Sequence, residues 1–270
     1  MSGKAETFAL VGNPVEHSLS PIMHNAAFRV MGINARYITL RADTAADAVR
    51  RIAASDIRGG SITIPHKVAM VGCLDHISDS AKSIGAVNTF VNRDGVLHGD
   101  NTDWIGIVRS VKESMTAIAG KTVAILGAGG AARAAVYGMK KEGCIPVILN
   151  RTERNGMKLA EEFGCAYHSL GDIKAVQADI LINTTPVGME PETDNSPVSV
   201  DVLKNFTWVM DIIYNPLRTT LLREAETAGC SIINGLSMFV HQGAEQIRIW
   251  TDRAAPDEVM KEVVAKALNR

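Results

Sequence analysis

Apolar residues along the first hundred positions fall in short clusters whose spacing switches between strand-like and helix-like. Thr7–Gly12 (TFALVG) predicts a first strand. After a polar loop, residues 21–32 (PIMHNAAFRVMG) carry apolar side chains at helical intervals, with Pro21 suited to a first turn and Gly32 to a stop. ARYITLRA (35–42) predicts a second strand, and TAADAVRRIAAS (44–55) a helix opened by Asp43 or Thr44. RGGSITIP (58–65) predicts a third strand, because β-branched residues suit a pleated backbone and Pro65 removes the donor that would continue the ladder. DSAKSIGA (79–86) has helical spacing. VNTFVNRDGVLHGDNTD (87–103) predicts two short strands around an Asp94-Gly95 turn.

The pattern then becomes more regular. DWIGIVRSVKESMTAIAG (103–120) predicts a helix that bridges to a second lobe. KTVAILGAGGAARAAVYGMKKEG (121–143) is a strand, a glycine turn and a helix, and IPVILNRTERNGMKLAEEFG (145–164) repeats strand and helix. ADILINTTPVGM and FTWVMDIIYNP supply further strands, and two helices close the chain after SIINGLS. Alternating strands and helices predict an α/β protein, the second half being a doubly wound parallel sheet. The expected division is residues 1–103 plus 239–270 in one lobe, with 104–238 inserted as the other.

Composition narrows the function classes. Of 270 residues, 46% are hydrophobic and 21% charged, which excludes a disordered chain. The formal net charge is −1 with no Lys/Arg block, so neither nucleic acid nor an anionic membrane is the expected partner. No run approaches the ~18 apolar residues of a membrane-spanning helix, and the N-terminal stretch predicts neither a signal peptide nor an anchor. Cys73, Cys144, Cys165 and Cys230 are scattered without a CxxC pair, as expected of free thiols in a reducing cytoplasm. His17, His24, His66 and His241 are not joined by carboxylates or cysteines at ligand spacing, so no metal is expected.

The chemistry begins at Gly127-Ala128-Gly129-Gly130-Ala131-Ala132. This G-x-G-x-x-A run follows an apolar strand and opens a helix, the context of a dinucleotide fingerprint. Gly127 permits the tight turn, Gly129 lets backbone approach a pyrophosphate, and the helix start offers free N–H groups to phosphate. About twenty residues on, an NAD site places a carboxylate at the strand end. Here the strand ends in Asn150-Arg151-Thr152-Glu153-Arg154, whose guanidiniums and hydroxyl suit a dianionic 2′-phosphate. NADP(H) is therefore expected over NAD(H), and the inserted lobe is expected to bind it.

In the N-terminal lobe, Ser18 and Ser20 precede a helix, where hydroxyls either bind a small carboxylate or cap the helix. Lys67, just past Pro65, and Asp103, at the junction of the lobes, are either a surface ion pair or a proton-handling pair. A dehydrogenase needs such a pair to remove the hydroxyl proton as hydride leaves. The Asn88 amide suits orientation of hydroxyls. Trp104, Trp208 and Trp250 are expected to pack.

Taken in order, GNPVEHSLSP, TIPHK, GAVNT, GDNTD, GAGGAARA, NRT, NTTPVGM, DIIYNP and GLSMFVHQ make the chain resemble the shikimate dehydrogenase family from end to end. The resemblance implies a substrate lobe and a Rossmann NADP lobe, and reversible NADPH-dependent reduction of 3-dehydroshikimate to shikimate on the route to aromatic amino acids. It implies Lys67 and Asp103 as the acid/base pair, and Ser18 and Ser20 as partners of the substrate carboxylate. Thr63, Lys67, Asn88, Asp103 and Gln242 would bind ring hydroxyls or the reacting oxygen, and Tyr214 would close the pocket. Gln242 could instead lie on a solvated helix face. Asn150, Arg151, Thr152 and Arg154 would grip the NADP phosphate, and Thr184, Thr185, Pro186, Gly235 and Met238 would line the nicotinamide side.

One position departs from the family pattern. Most bacterial members read N-V-T-x-P-x-K, whereas Ser61 replaces the asparagine, as in the dehydrogenase half of the plant dehydroquinate dehydratase–shikimate dehydrogenase. These 270 residues contain no dehydratase half, so a second activity is not expected of them. By the period of two, Ser61 shares a face with Thr63 and is expected at the substrate site, either touching the substrate or supporting a residue that does. A shorter side chain there leaves room for a quinate/shikimate dehydrogenase of broader specificity. A silent sensor of NADP or a shikimate-like acid is the remaining alternative, and in either case a monomer or homodimer is expected.

Overall fold

A computed structural model describes residues 4–269. The chain divides into two units: one runs to Thr102 and resumes at Val240, and the other is Asp103–Phe239. The first unit contains β1 (Glu6–Gly12), α1 (Ser20–Val30), β2 (Ala35–Arg41), α2 (Ala45–Ala53) and β3 (Ile57–Ile62). It continues with β4 (His76–Ile77), α3 (Asp79–Ile84), β5 (Thr89–Arg93) and β6 (Val96–Asp100). The second holds α4 (Asp103–Ser114), β7 (Thr122–Leu126), α5 (Gly130–Lys141), β8 (Ile145–Asn150), α6 (Glu153–Phe163) and β9 (Ala166–Ser169). β10 (Ile180–Asn183), α7 (Val200–Leu203), β11 (Trp208–Asp211), α8 (Thr220–Thr227) and β12 (Ser231–Ile233) complete its sheet. The chain ends in α9 (Gly235–Thr251), which starts in the second unit and finishes in the first, and α10 (Asp257–Leu268), which packs on α1.

The first sheet has the order β2-β1-β3-β5-β6-β4. β1 lies parallel to β2 and β3, β5 runs antiparallel to β3, and β6 runs antiparallel to β5. Its core includes Val11, Ile52, Ile57, Ile62 and Phe90. β3 crosses between β1 and β5 at Gly60, where a Cβ would press on the Ala9 carbonyl and come 2.9 Å from the Phe90 ring. Glycine is thus the residue that lets three strands meet there. The expected third strand ran to Pro65, but β3 stops at Ile62 and residues 64–68 form a turn. The alternation of strand faces therefore ends before Thr63.

The second sheet is wholly parallel, ordered β12-β11-β10-β7-β8-β9. This doubly wound order reverses direction at β7, between β8 on one side and β10 on the other. Leu126, Leu149, Leu181, Val209 and Leu221 belong to its buried core. Five short pieces escaped the hydrophobic pattern: β4, β9, α7, α8 and β12. Among the described residues no helix is long and apolar enough to cross a membrane.

Candidate active site

Three segments of the first unit meet at the carboxyl ends of β1 and β3. The loop after β1 is tied to the turn after β3 by Asn13 N–H donating to the Ile64 carbonyl at 2.9 Å. The Thr63 methyl lies where a side chain on Gly12 would go. The Lys67 carbonyl accepts the Val87 N–H at 2.8 Å, which sets half-buried Lys67 beside Asn88. His66 is turned inward instead, its Nε2 2.7 Å from the Ala42 carbonyl. Among the described residues no three His, Cys, Asp or Glu side chains gather as a metal site.

Ser18 and Ser20 lie together, the Ser18 hydroxyl donating to Ser20 Oγ at 3.2 Å and accepting the Ser20 N–H. Neither is the N-cap of α1. That position is Leu19, which supplies no side-chain bond, and Ser20 is already the first helical residue.

Asn88 is 1% exposed and its side chain is held in place by its neighbours. Its Oδ1 accepts the Thr102 N–H at 2.7 Å, and its Nδ2 donates to Thr102 Oγ1 at 2.9 Å and to Gln242 Oε1 at 3.4 Å. Gln242 is therefore buried, not on a solvated helix face. Asp103 follows Thr102 directly as the first residue of α4, 3% exposed, and belongs to the second unit.

Ser61 is drawn into the interior. Expected beside Thr63 on one strand face, it is buried and accepts the Tyr37 hydroxyl at 2.6 Å while donating its own proton to Gln246 Oε1 at 2.7 Å. A serine hydroxyl has one proton, and this one is committed within the chain.

In the second unit the glycine turn sits at the carboxyl end of β7, at the switch point of the parallel sheet, where open α/β sheets bind ligands. Gly127 has φ +113°, and a side chain there would meet Thr184 Oγ1 at 2.8 Å. Gly129 is exposed as the N-cap of α5 with no side-chain bond, and a Cβ on it would meet nothing within 4 Å. Ala128, Gly130 and Ala131 are half-buried around it, so the first turn of α5 is left open for an anion.

At the end of β8, Asn150 Nδ2 donates to the Thr152 carbonyl at 2.8 Å. Thr152 is the N-cap of α6, yet its hydroxyl makes no cap bond. Arg151 and Arg154 are exposed, unlike Arg133, which pairs with Glu162 at 2.6 Å. These residues fit a dinucleotide carrying an extra phosphate: an unfilled glycine cradle, an uncommitted hydroxyl and two exposed guanidiniums.

The loops after β10 and β11 complete this rim. Thr184 and Thr185 are half-buried and Pro186 exposed, the Thr184 hydroxyl donating to the Leu126 carbonyl. The Thr185 hydroxyl donates to Asn183 Oδ1 at 2.7 Å, and Asn183 Nδ2 donates to Asp211 Oδ1 at 3.1 Å. Asp211 also accepts the Thr219 hydroxyl and the Ile213 N–H, and burial pushes its carboxyl up to about 6 against the pull of these donors. Tyr214 stacks on Phe239 with ring centroids 4.0 Å apart. Gly235 starts α9 so close to the Ile213 backbone that a Cβ would collide with it, and Met238 is buried one turn on.

Tyr37, Thr102, Asp211 and Gln246 were not singled out in the sequence. Only Gln246 left a signal: it is four residues from Gln242, hence on the same face of α9.

Three family models match the chain. The shikimate dehydrogenase substrate binding domain matches residues 10–90, shikimate / quinate 5-dehydrogenase matches 109–193, and the shikimate 5′-dehydrogenase C-terminal domain matches 235–265. The NADP(+) shikimate dehydrogenase of Methanothermobacter thermautotrophicus is 42% identical, covering 100% of this chain and 99% of its own length. The chloroplastic bifunctional 3-dehydroquinate dehydratase/shikimate dehydrogenase of Arabidopsis thaliana is 40% identical over 97% of this chain but 46% of its own. The crystal structure of Thermus thermophilus shikimate 5-dehydrogenase, in complex with NADP(H) and shikimate, is 34% identical with a TM-score of 0.88, covering 97% of this chain and 100% of that one.

Proposed function

This chain belongs to the shikimate dehydrogenase family, and on that premise we propose that it catalyses the reversible NADPH-dependent reduction of 3-dehydroshikimate to shikimate, in the biosynthesis of aromatic amino acids. The observation that carries the reading is the bond from Val87 N–H to the Lys67 carbonyl, which sets a lysine beside the buried Asn88 cluster. In this reading Lys67 and Asp103 handle the proton. As shikimate is oxidised, its reacting hydroxyl gives up a proton to this pair, and the reverse reaction returns it. NADP, when bound, supplies or accepts the hydride.

The remaining roles follow from chemistry and position. Ser18 and Ser20 are assigned to the substrate carboxylate, and Tyr214 to the substrate as well. Thr63, Asn88 and Gln242 bind the ring hydroxyls, Asn88 held rigid by Thr102. The Gly127–Ala131 turn and the start of α5 receive the pyrophosphate, and Asn150, Arg151, Thr152 and Arg154 receive the 2′-phosphate. Thr184, Thr185, Pro186, Gly235 and Met238 flank the nicotinamide. The expected compartment is the cytoplasm, in keeping with four free cysteines, and the expected form is a monomer or homodimer.

Turnover of shikimate and quinate, each with NADP and NAD, tests the reading. Shikimate with NADP is expected to give the highest kcat/KM. Lys67→Ala is expected to lower kcat by ~10²–10⁴ with little change in shikimate affinity. Near-normal turnover in that variant removes Lys67 from the proton transfer. The match of residues 109–193 to a shikimate / quinate 5-dehydrogenase supports a second reading, an enzyme of broader specificity. A kcat/KM for quinate with NAD above that for shikimate with NADP would establish it.

A further inference from the structure

Gln246 lies one helical turn beyond Gln242 on α9 and is 0% exposed, yet both ends of its amide are used. Ser61 donates to its Oε1 at 2.7 Å, and its Nε2 donates to the Asn88 carbonyl at 3.2 Å. Ser61 in turn accepts from the Tyr37 hydroxyl at 2.6 Å. The direction of this chain of bonds is forced. Turning the Gln246 amide over would set its oxygen against the Asn88 carbonyl, two acceptors facing each other. With the oxygen toward Ser61, the serine proton must go to Gln246, and the remaining Ser61 lone pairs receive the Tyr37 proton.

Both ends of the chain are anchored. Tyr37 exchanges two backbone bonds with the Asn25 side chain, at 2.8 and 2.9 Å, and stacks on His24 with ring centroids 4.4 Å apart. At the other end, Asn88 is the residue whose side-chain amide reaches Gln242. The two glutamines of α9 thus converge on one asparagine, Gln242 on its side chain and Gln246 on its backbone.

We propose that Tyr37, Ser61 and Gln246 form a buried hydrogen-bond relay that positions Asn88 and Gln242 for the ring hydroxyls of the substrate. The proposal rests on the assignment of Asn88 and Gln242 to substrate made above. It makes Ser61 a positioning residue that acts through Gln246 and touches no substrate itself. Serine fits because the relay needs one donor and one acceptor in a space closed by Tyr37 and Gln246.

The test is steady-state kinetics of Ser61→Ala, Ser61→Thr and Tyr37→Phe with shikimate and NADP. Ser61→Ala leaves two buried groups without partners, the Tyr37 hydroxyl and Gln246 Oε1. It is expected to raise the KM for shikimate ~10-fold while the KM for NADP stays within about twofold. Ser61→Thr keeps the hydroxyl and is expected to restore most of that loss. Tyr37→Phe removes only the outer link, and a rise of about threefold is expected. It carries the test alone if Ser61→Ala does not fold. An unchanged shikimate KM in Ser61→Ala, or in Tyr37→Phe where that variant stands alone, overturns the relay. So does a Ser61→Thr enzyme as impaired as Ser61→Ala, because packing and not the hydroxyl would then matter. If wild type itself fails to turn over shikimate, the assignment of function falls and the relay with it, an outcome distinct from an active wild type with an unperturbed Ser61→Ala.

Discussion

Arg133 and Arg151 show how position decides what one residue type can do. Arg133 is spent on Glu162 within its own unit, whereas Arg151 stands exposed at the end of β8 beside a Thr152 hydroxyl that caps nothing. Arg151→Ala is therefore expected to raise the KM for NADP ~10-fold and leave that for NAD nearly unchanged, the loss of one charge-assisted phosphate contact. An equal change for both cofactors would show that Arg151 does not read the 2′-phosphate. The exposure of Arg151 at a strand end was legible because the carboxylate usual there was missing from a short stretch of chain. Ser61 was not, because its meaning lies in Tyr37 and in Gln246, 185 positions later.

Among the elements, those with a long periodic pattern and a punctuating residue were read correctly. β7 and α5 are joined by a glycine turn, and the β5–β6 hairpin turns on Asp94 and Gly95, both at positive φ. The missed pieces are short. β4 has two residues and β12 three, too few for any period to register. The over-extension of β3 has a different cause: Thr63 and Ile64 have strand-like side chains, but the backbone there turns to present Lys67. Where three strands meet, one atom is decisive. Gly60→Ala places a methyl group against the Ala9 carbonyl and is expected to destabilise the protein by ~1–3 kcal/mol, measured by denaturant titration. A stability change below about 0.5 kcal/mol would mean that β1 and β3 can part without cost.

For the molecule as a whole, two buried titratable groups give opposite slopes of stability with pH. His24 in the first unit is buried, and burial holds its imidazole down to about 3 from the usual 6.5, the Gln246 side chain pulling the other way. Below pH 6.5 the unfolded chain binds a proton that the native state refuses. Stability is therefore lost as pH falls toward 3, at ~1.4 kcal/mol per pH unit. Asp211 in the second unit is raised from 3.8 to about 6, so the native state holds its proton longer than the unfolded chain. Its contribution is full below pH 3.8 and lost as pH rises through about 6, ~3 kcal/mol in all. Relative to wild type, His24→Phe is expected to gain stability progressively from pH 6.5 downward, and Asp211→Asn from pH 4 upward to 6. Denaturant titrations at half-unit pH steps read both, and parallel pH profiles for wild type and either variant would contradict the corresponding assignment.

The family, the α/β class and the glycine turn between β7 and α5 were determined by the sequence alone, because each depends on residues close together in the chain or on motifs in a set order. Local sterics and periodicity act over a few residues, so they leave a readable trace. The hydrogen-bond partners of Ser61 and Asn88 and the titration of His24 and Asp211 were decided only by the tertiary structure. Burial and the direction of a hydrogen bond are properties of neighbours that the chain brings together from distant positions, and no local pattern records them.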